Sequence, residues 1–286
     1  MNGTITLSEI IAALPEITAQ HARTSRTYAL LEKIVAEATR TSRLAQTEGA
    51  REDLGGFGTI ELPYTKMGAV DTLDLFGLDE LIIFAFYWAN RSRYKKAADI
   101  GANIGLHSIL MSRCGWRVRA YEPDPTHAGI LSRNLKLNAV TSVELVQSAV
   151  SDRPGRMEFV RVLGNTTSSH LAGAKSKPYG ELERFEVSVE SIAAIMGAAD
   201  FVKMDAEGQE KIIILGTGPE HWRAVDMIVE VGSPENAEAI FAHLTKIGVN
   251  AFAQKLGWGR VTGMADMPTT YKQGSLFLTA KAEMPW

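Results

Sequence analysis

The sequence predicts an α/β fold of the doubly wound kind, a Rossmann-like, mainly parallel sheet with helices on both faces, an antiparallel edge and an N-terminal helical extension. Three observations carry that prediction. From Lys96 onward, short apolar runs of strand length alternate with stretches of helical periodicity, the pattern of repeated β-α units in a parallel sheet. The first run, Ala97-Ala98-Asp99-Ile100, leads into a turn bearing Gly101 and Gly105, after which Leu106, Ile109, Leu110 and Met111 recur at helical spacing. A buried strand, a glycine turn and a helix start is how such folds build a cofactor loop. Finally, the late apolar runs 249–254 and 275–279 have little helix between them, which predicts an antiparallel pair at one edge.

Residues 1 to about 50 read as helical: Tyr28, Leu31, Ile34, Val35 and Ala38 share a face, with Glu32, Lys33, Glu37 and Arg40 elsewhere. Gly55, Gly56 and Gly58 interrupt this pattern, and 59–62 reads as a short strand ending at Pro63. A second helix over about 79–91 carries Leu81, Ile82, Phe84, Ala85, Tyr87 and Trp88, too broadly apolar for a surface helix. It must pack against the sheet, the substrate pocket or another subunit. The alternating part then gives strands at 97–101, 117–121, 143–146, 200–204 and 225–231, with helices at 104–114, 125–138, about 190–197, through Leu215 and 234–248. Strands at 157–162 and 184–189 fall outside that rhythm. Between them, 164–183 is rich in Gly, Ser, Thr, Lys and Pro and reads as a long lid-like loop. The division expected is a helical extension at 1–94, serving an acceptor pocket or a homodimer contact, and a cofactor-binding domain at 95–286.

Composition narrows the function. The 286 residues are 45% hydrophobic, enough for a full core. A net charge of −3 gives no electrostatic case for nucleic acid, even with the short basic run Arg91, Arg93, Lys95 and Lys96, which reads as a solvated helix end. Cys114 is the sole cysteine, so no intrachain disulfide forms, in keeping with a reducing cytoplasm; its apolar surroundings suggest core rather than nucleophile. Residues 4–11 lack the charged lead and apolar core of a signal peptide, and 81–89 is far short of the ~20 residues that span a bilayer. A cytoplasmic protein without membrane or nucleic-acid partners is expected.

Ligands in such sheets bind beyond the C-terminal strand ends, where acidic residues here accumulate: Asp99, Glu122, Asp205 and Glu230. Four carboxylates at one edge repel one another unless a cation, a metal or a cationic ligand balances them. Glu122 follows Gly101 by 21 residues, within the ~20-residue spacing that puts an acid on ribose hydroxyls. The competing duty, capping the next helix, falls more naturally to Asp124. The loop reads D-x-G-x-N-x-G rather than G-x-G-x-x-G. An Asp at its mouth is unfavourable beside a pyrophosphate but favourable beside an ammonium and a sulfonium. Adenosine with a cationic tail describes S-adenosylmethionine.

Three segments then make a resemblance visible. Asp-Ile-Gly-Ala-Asn-Ile-Gly at 99–105, Tyr-Glu-Pro-Asp-Pro at 121–125 and Lys-Met-Asp-Ala-Glu-Gly-Gln-Glu at 203–210 resemble the signature segments of the FkbM family of S-adenosylmethionine-dependent methyltransferases. Met204 and Ala206 stand where that pattern more often has an apolar β-branched residue. The resemblance covers roughly 95–280. It implies a class I methyltransferase fold with a seven-stranded sheet whose last strand is antiparallel, and usually O-methylation of sugars or natural products. It implies that Asp99, Gly101, Asn103 and Gly105 hold the methionine end, Glu122 the ribose, and the segment containing Ser148 and Ala149 the adenine. Asp205, next to the transferred methyl, is the first candidate to orient or deprotonate a small-molecule acceptor, and Glu207 the second. Both also suit capping of the following helix.

His170, in the 165–170 loop, is a candidate general base or a solvated loop residue. His107 packs or faces the cofactor; His127, His221 and His243 read as helix-surface residues, and His21 as solvated. No His/Cys cluster or calcium-loop spacing supports a metal. A nicotinamide-dependent oxidoreductase and a non-catalytic cofactor-binding partner subunit are the rival functions.

Overall fold

The computed structural model of the protein describes residues 5–45, 49–173 and 180–286. Parts of the predicted N-terminal helix (1–4, 46–48) and of the predicted lid (174–179) lie outside the described residues.

The N-terminal part is helical with one hairpin. Helix α1 (Leu7–Ala13) starts at a Thr6/Glu9 capping box, and α2 (Arg26–Thr41) starts at Ser25 and buries Tyr28, Val35 and Ala38 as its periodicity predicts. Strands β1 (Arg51–Asp53) and β2 (Thr59–Glu61) pair antiparallel. Helix α3 (Leu78–Ala89) buries eight of its twelve residues. Its partner is the sheet: the Phe86 ring lies 5.8 Å from Phe201 and 5.5 Å from Phe277.

The alternating part forms β3 (Lys96–Ile100), α4 (Leu106–Arg113), β4 (Arg117–Tyr121), α5 (Pro125–Leu137) and β5 (Val143–Val146). A meander follows, β6 (Ala149–Ser151), β7 (Gly155–Val162), β8 (His170–Leu171) and β9 (Leu182–Ser191), which makes a separate sheet in the order β6-β9-β7-β8. Then come α6 (Ile192–Met196), β10 (Phe201–Met204), α7 (Glu210–Leu215), β11 (Asp226–Val229), α8 (Pro234–Ile247), β12 (Asn250–Ala253), β13 (Gly259–Arg260) and β14 (Leu276–Thr279). The main sheet runs β13-β12-β14-β11-β10-β3-β4-β5.

Strand β14 is antiparallel to both β11 and β12. The expected antiparallel pair therefore exists, but the reversed strand is interior and the sheet has eight strands, with the two-residue β13 outermost. The reason is burial: Leu276, Phe277, Leu278 and Thr279 are all at 0% exposure, and such a strand needs neighbours on both sides. Four strands escaped the sequence reading, β1, β6, β8 and β13, each of two or three residues and too short to show a period.

Alternation along the strands fills two cores. Ala97, Val118, Phe201, Ile228 and Phe277 face α3, α4, α5 and the N-terminal helices. Ala98, Tyr121, Val202, Met204, Met227 and Leu278 face α6, α7 and α8. The first core passes without a break across residues 94 and 95, so the N-terminal helices and the sheet share one interior.

Candidate functional site

Chain order reverses beside β3: the chain leaves it for β4 and β5 on one side, while β10 and β11 lie on the other. Such a switch point opens a crevice at the C-terminal strand ends. Here it is a cleft of about 600 Å3, walled by the ends of β3, β4 and β10, by Ser148 and the start of β6, by residues 69–75 of the N-terminal part, by 165–171 of the meander and by Tyr271.

The loop after β3 forms the floor. The N–H groups of Gly101 and Ala102 both donate to the Tyr121 carbonyl at 3.0 Å. Gly101 has φ 75°, and a Cβ there would lie 1.8 Å from the Asp205 carbonyl oxygen, so no other residue fits where the β3 and β10 loops meet. Asn103, at φ 50°, donates its N–H to Glu122 Oε2 at 2.8 Å, and Asp124 donates its N–H to Glu122 Oε1 at 2.9 Å. Glu122 is 6% exposed, and burial pushes its carboxyl up to about 8 against the pull of those two N–H groups. Each carboxylate oxygen keeps a lone pair for a ligand hydroxyl.

Polar atoms left unpaired mark the same cleft. The side chains of Asn103, Tyr121, Ser148 and Gln209 line it, and Asn103 Oδ1, the Tyr121 hydroxyl, Ser148 Oγ and Gln209 Oε1 are buried without a hydrogen-bond partner. Buried polar groups in folded proteins are nearly always bonded, so a concentration of orphans points to a ligand that completes them.

A model of the methyltransferase FkbM domain matches residues 99–255, more than half of the chain. The chain belongs to the FkbM methyltransferase family. Among its relatives, methyltransferase sdnD of Sordaria araneosa is 30% identical over a match spanning 48% of this chain and 66% of that protein. Methyltransferase 1 of Beauveria bassiana (strain ARSEF 2860) is 24% identical, with 46% and 61% covered. The chain thus spans just under two thirds of the length of the curated relatives it matches. A solved SAM-dependent methyltransferase from Agrobacterium tumefaciens overlaps 81% of this chain and 70% of its own at 8% identity and TM-score 0.42, too loosely to add to the sheet order. The mainly parallel sheet with β14 reversed is the class I arrangement expected of an FkbM chain.

Of the site residues expected from the sequence at the cofactor and the methyl, Gly101, Asn103, Glu122, Ser148, Ala149 and Asp205 line the cleft of this FkbM domain, and Asp99 and Gly105 do not. Asp99 is fully buried under the loop: Ser108 donates to its Oδ2 at 2.6 Å, and Lys203 Nζ lies 4.0 Å from its Oδ1. Strand alternation turns it toward α4 instead of the mouth. Lys203 is its partner in register across β3 and β10, and Nζ is also 3.9 Å from Asp205 Oδ2. This ammonium is the cation that the crowded carboxylates call for. Burial works against its charge, but Asp205, Asp99, Glu80 and Glu230 outweigh burial and raise its pKa. Glu230, half-buried beside Asp205 and Glu80, is pushed far above the carboxylate range, chiefly by the loss of water around its carboxyl. Nothing in the sequence reading gave Lys203 a role; a lone cation in the run Phe-Val-Lys-Met was the available signal.

A carboxylate from the first turn of α7 holds the loop after β10. Glu210, fully buried, accepts from the N–H groups of Ala206 at 2.9 Å and Gly208 at 3.0 Å. That leaves the Asp205 and Glu207 side chains on the cleft wall. His170 also lines the cleft, buried, with Nδ1 2.9 Å from the Ser168 carbonyl. His127 is a correction: 5% exposed, it lines the cleft with Nε2 2.8 Å from Thr166 Oγ1, because α5 turns its first turn inward. His21 is another, 1% exposed and bonded to the Leu14 carbonyl and to Trp258 Nε1–H. His107 packs between the Tyr87 hydroxyl at 2.9 Å and Glu80 at 3.0 Å. Burial pushes the Cys114 thiol up to about 12, which leaves no thiolate at neutral pH. The described residues hold no group of His, Cys, Asp and Glu fit to bind a metal, and no helix long and apolar enough to cross a membrane.

Proposed function

We propose that this chain binds S-adenosylmethionine in the cleft and transfers its methyl group to a hydroxyl of a small molecule, a sugar or natural product. The observation that carries the reading is the pairing of Glu122 with the orphaned atoms around it. A buried carboxylate with two free lone pairs suits the vicinal hydroxyls of a ribose. Ser148 and Tyr121, unpaired in the wall beyond it, suit the polar edge of an adenine. Family membership and the loop at 99–105 support the same cofactor.

Bound S-adenosylmethionine supplies a methyl carbon on a sulfonium, whose C–S bond breaks to a neutral thioether as the acceptor oxygen takes the methyl. The chain's own part is positioning and proton handling. Holding acceptor and donor in line is worth up to about 7–11 kcal/mol of barrier in favourable cases. The acceptor proton passes to a carboxylate at the end of β10: Asp205 first, next to the Gly101 turn, and Glu207 second. Lys203 keeps the charge at Asp205 balanced. His170 and the 165–171 segment close the cleft from above, tied to the N-terminal part by the Thr166 N–H donating to the Met67 carbonyl at 2.8 Å.

Calorimetry tests this. S-adenosylhomocysteine should bind, and Glu122→Ala should weaken it about 100-fold, since hydrogen bonds to a charged group contribute roughly 1.5–3 kcal/mol each. Undiminished affinity in a folded variant removes the ribose assignment.

A further inference from the structure

Gln209 stands just before α7 with its backbone engaged in the turn. Its N–H donates to the Ala206 carbonyl at 3.2 Å, and its carbonyl accepts from the Ile213 N–H at 2.9 Å. Its side chain is 2% exposed and lines the cleft, and Oε1 is buried without a hydrogen-bond partner. A buried amide oxygen in that state is completed by a donor from outside the chain. The same amide offers two N–H donors beside it.

The fold puts this amide at the adenine end of the cleft. Helix α7 packs along β6, and Val150, Ile213 and Ile214 share one core. The two elements run the same way. Ser148, Ala149 and Gln209, where they start, line the cleft. Where they end, a Cβ on Gly216 would lie 2.9 Å from the Asp152 Cα. Ala149 is three residues of strand back from that contact, about 10 Å. Gln209 is seven residues back along the helix, also about 10 Å. Equal rise brings the Gln209 amide level with Ser148 and Ala149, the segment read as the adenine wall. The edge of adenine at N6 and N7 presents a donor beside an acceptor, and a primary amide meets both at once; Asn and Gln read adenine in nucleic acids this way.

We propose that Gln209 reads the base of the cofactor, Oε1 accepting from the N6 amine and Nε2 donating to N7, so that the cleft selects adenine over a 6-oxopurine. This rests on the S-adenosylmethionine reading of the cleft. A 6-oxopurine presents acceptors at both O6 and N7, so the amide oxygen faces an acceptor whichever way the amide is turned. Calorimetry compares S-adenosylhomocysteine with S-inosylhomocysteine and with the 7-deaza analogue of S-adenosylhomocysteine. The wild-type protein should bind the first about tenfold tighter than the second and about fivefold tighter than the third. Gln209→Leu should weaken S-adenosylhomocysteine about tenfold and S-inosylhomocysteine less than about threefold, which erases the preference. Equal binding of the adenine and hypoxanthine compounds by the wild-type protein, or a preference that survives in Gln209→Leu, overturns the proposal. Should that variant not fold, the 7-deaza comparison decides alone, and undiminished affinity for that analogue overturns the proposal. Failure of S-adenosylhomocysteine to bind the wild-type protein overturns the methyl-transfer reading instead, and the proposal falls with it.

Discussion

Glu122 combines two demands that conflict in the ligand-free protein. Its oxygens fix the backbone at Asn103 and Asp124, yet its burial penalises the charge and moves its titration from 4.5 up to about 8. Because the folded-state value is raised, the stability this group contributes is full below about pH 4.5 and is lost as pH climbs toward 8. Ribose hydroxyls donating to the carboxylate favour its ionised form, so cofactor binding between those limits releases a proton. Affinity for S-adenosylhomocysteine should therefore rise from pH 6 to pH 8, by at most tenfold per unit, and level off above. Calorimetry in two buffers of different ionisation enthalpy measures the proton released. A flat profile across that range, or the same slope in Glu122→Ala, shows that Glu122 does not carry the ribose contact.

Two strands, β3 and β10, set most of the site, and they show where sequence reasoning succeeds and where it stops. That Gly101, Glu122 and Asp205 stand at the cleft was legible because each sits at a fixed offset from a strand end, and strands announce themselves by period. Asp99 was misplaced because a one-dimensional pattern does not say which face a strand-end residue takes. That choice depends on the packing of α4, and it pairs Asp99 with Lys203 under the floor. His127 and Gln209 were unreadable for a related reason, since their meaning comes from Thr166 and from an empty partner position, contacts between distant segments. The register pair of β3 and β10 carries its own test. Lys203→Met keeps the volume but leaves Asp99 buried with its charge uncompensated, which should cost about 3–5 kcal/mol in chemical denaturation. Adding Asp99→Asn should recover part of that loss, an interaction energy of about 0.5–3 kcal/mol in a double-mutant cycle. Strict additivity of the two changes shows that the pair is not coupled.

At the scale of the whole molecule, the sheet has two faces and the chain needs both covered. One face is covered by α6, α7 and α8, which the β-α rhythm itself supplies. The other is covered by α4 and α5 and, over Phe201, Ile228 and Phe277, by α3 and the N-terminal helices. The family match begins at residue 99, so the matched unit and the physical unit differ. The sheet half also ties its own far end to this face through Asp226, 1% exposed, which accepts from the Tyr94 hydroxyl at 2.8 Å, Thr279 at 2.6 Å and Lys281 at 2.7 Å. A chain beginning at residue 95 would lose Tyr94 from that cluster and strip Phe86 from the rings of Phe201 and Phe277. It would expose a contiguous apolar face of a size that monomeric proteins avoid. The expected behaviour of 95–286 alone is a compact, loosely packed state: strong ANS fluorescence, far-UV circular dichroism retained, near-UV signal lost and no cooperative thermal transition. Adding residues 1–94 as a separate chain should restore the transition to the extent that α3 docks again. A sharp, reversible transition of 95–286 alone would show that the sheet folds without its N-terminal cover, and that α3 serves the cleft rather than the core.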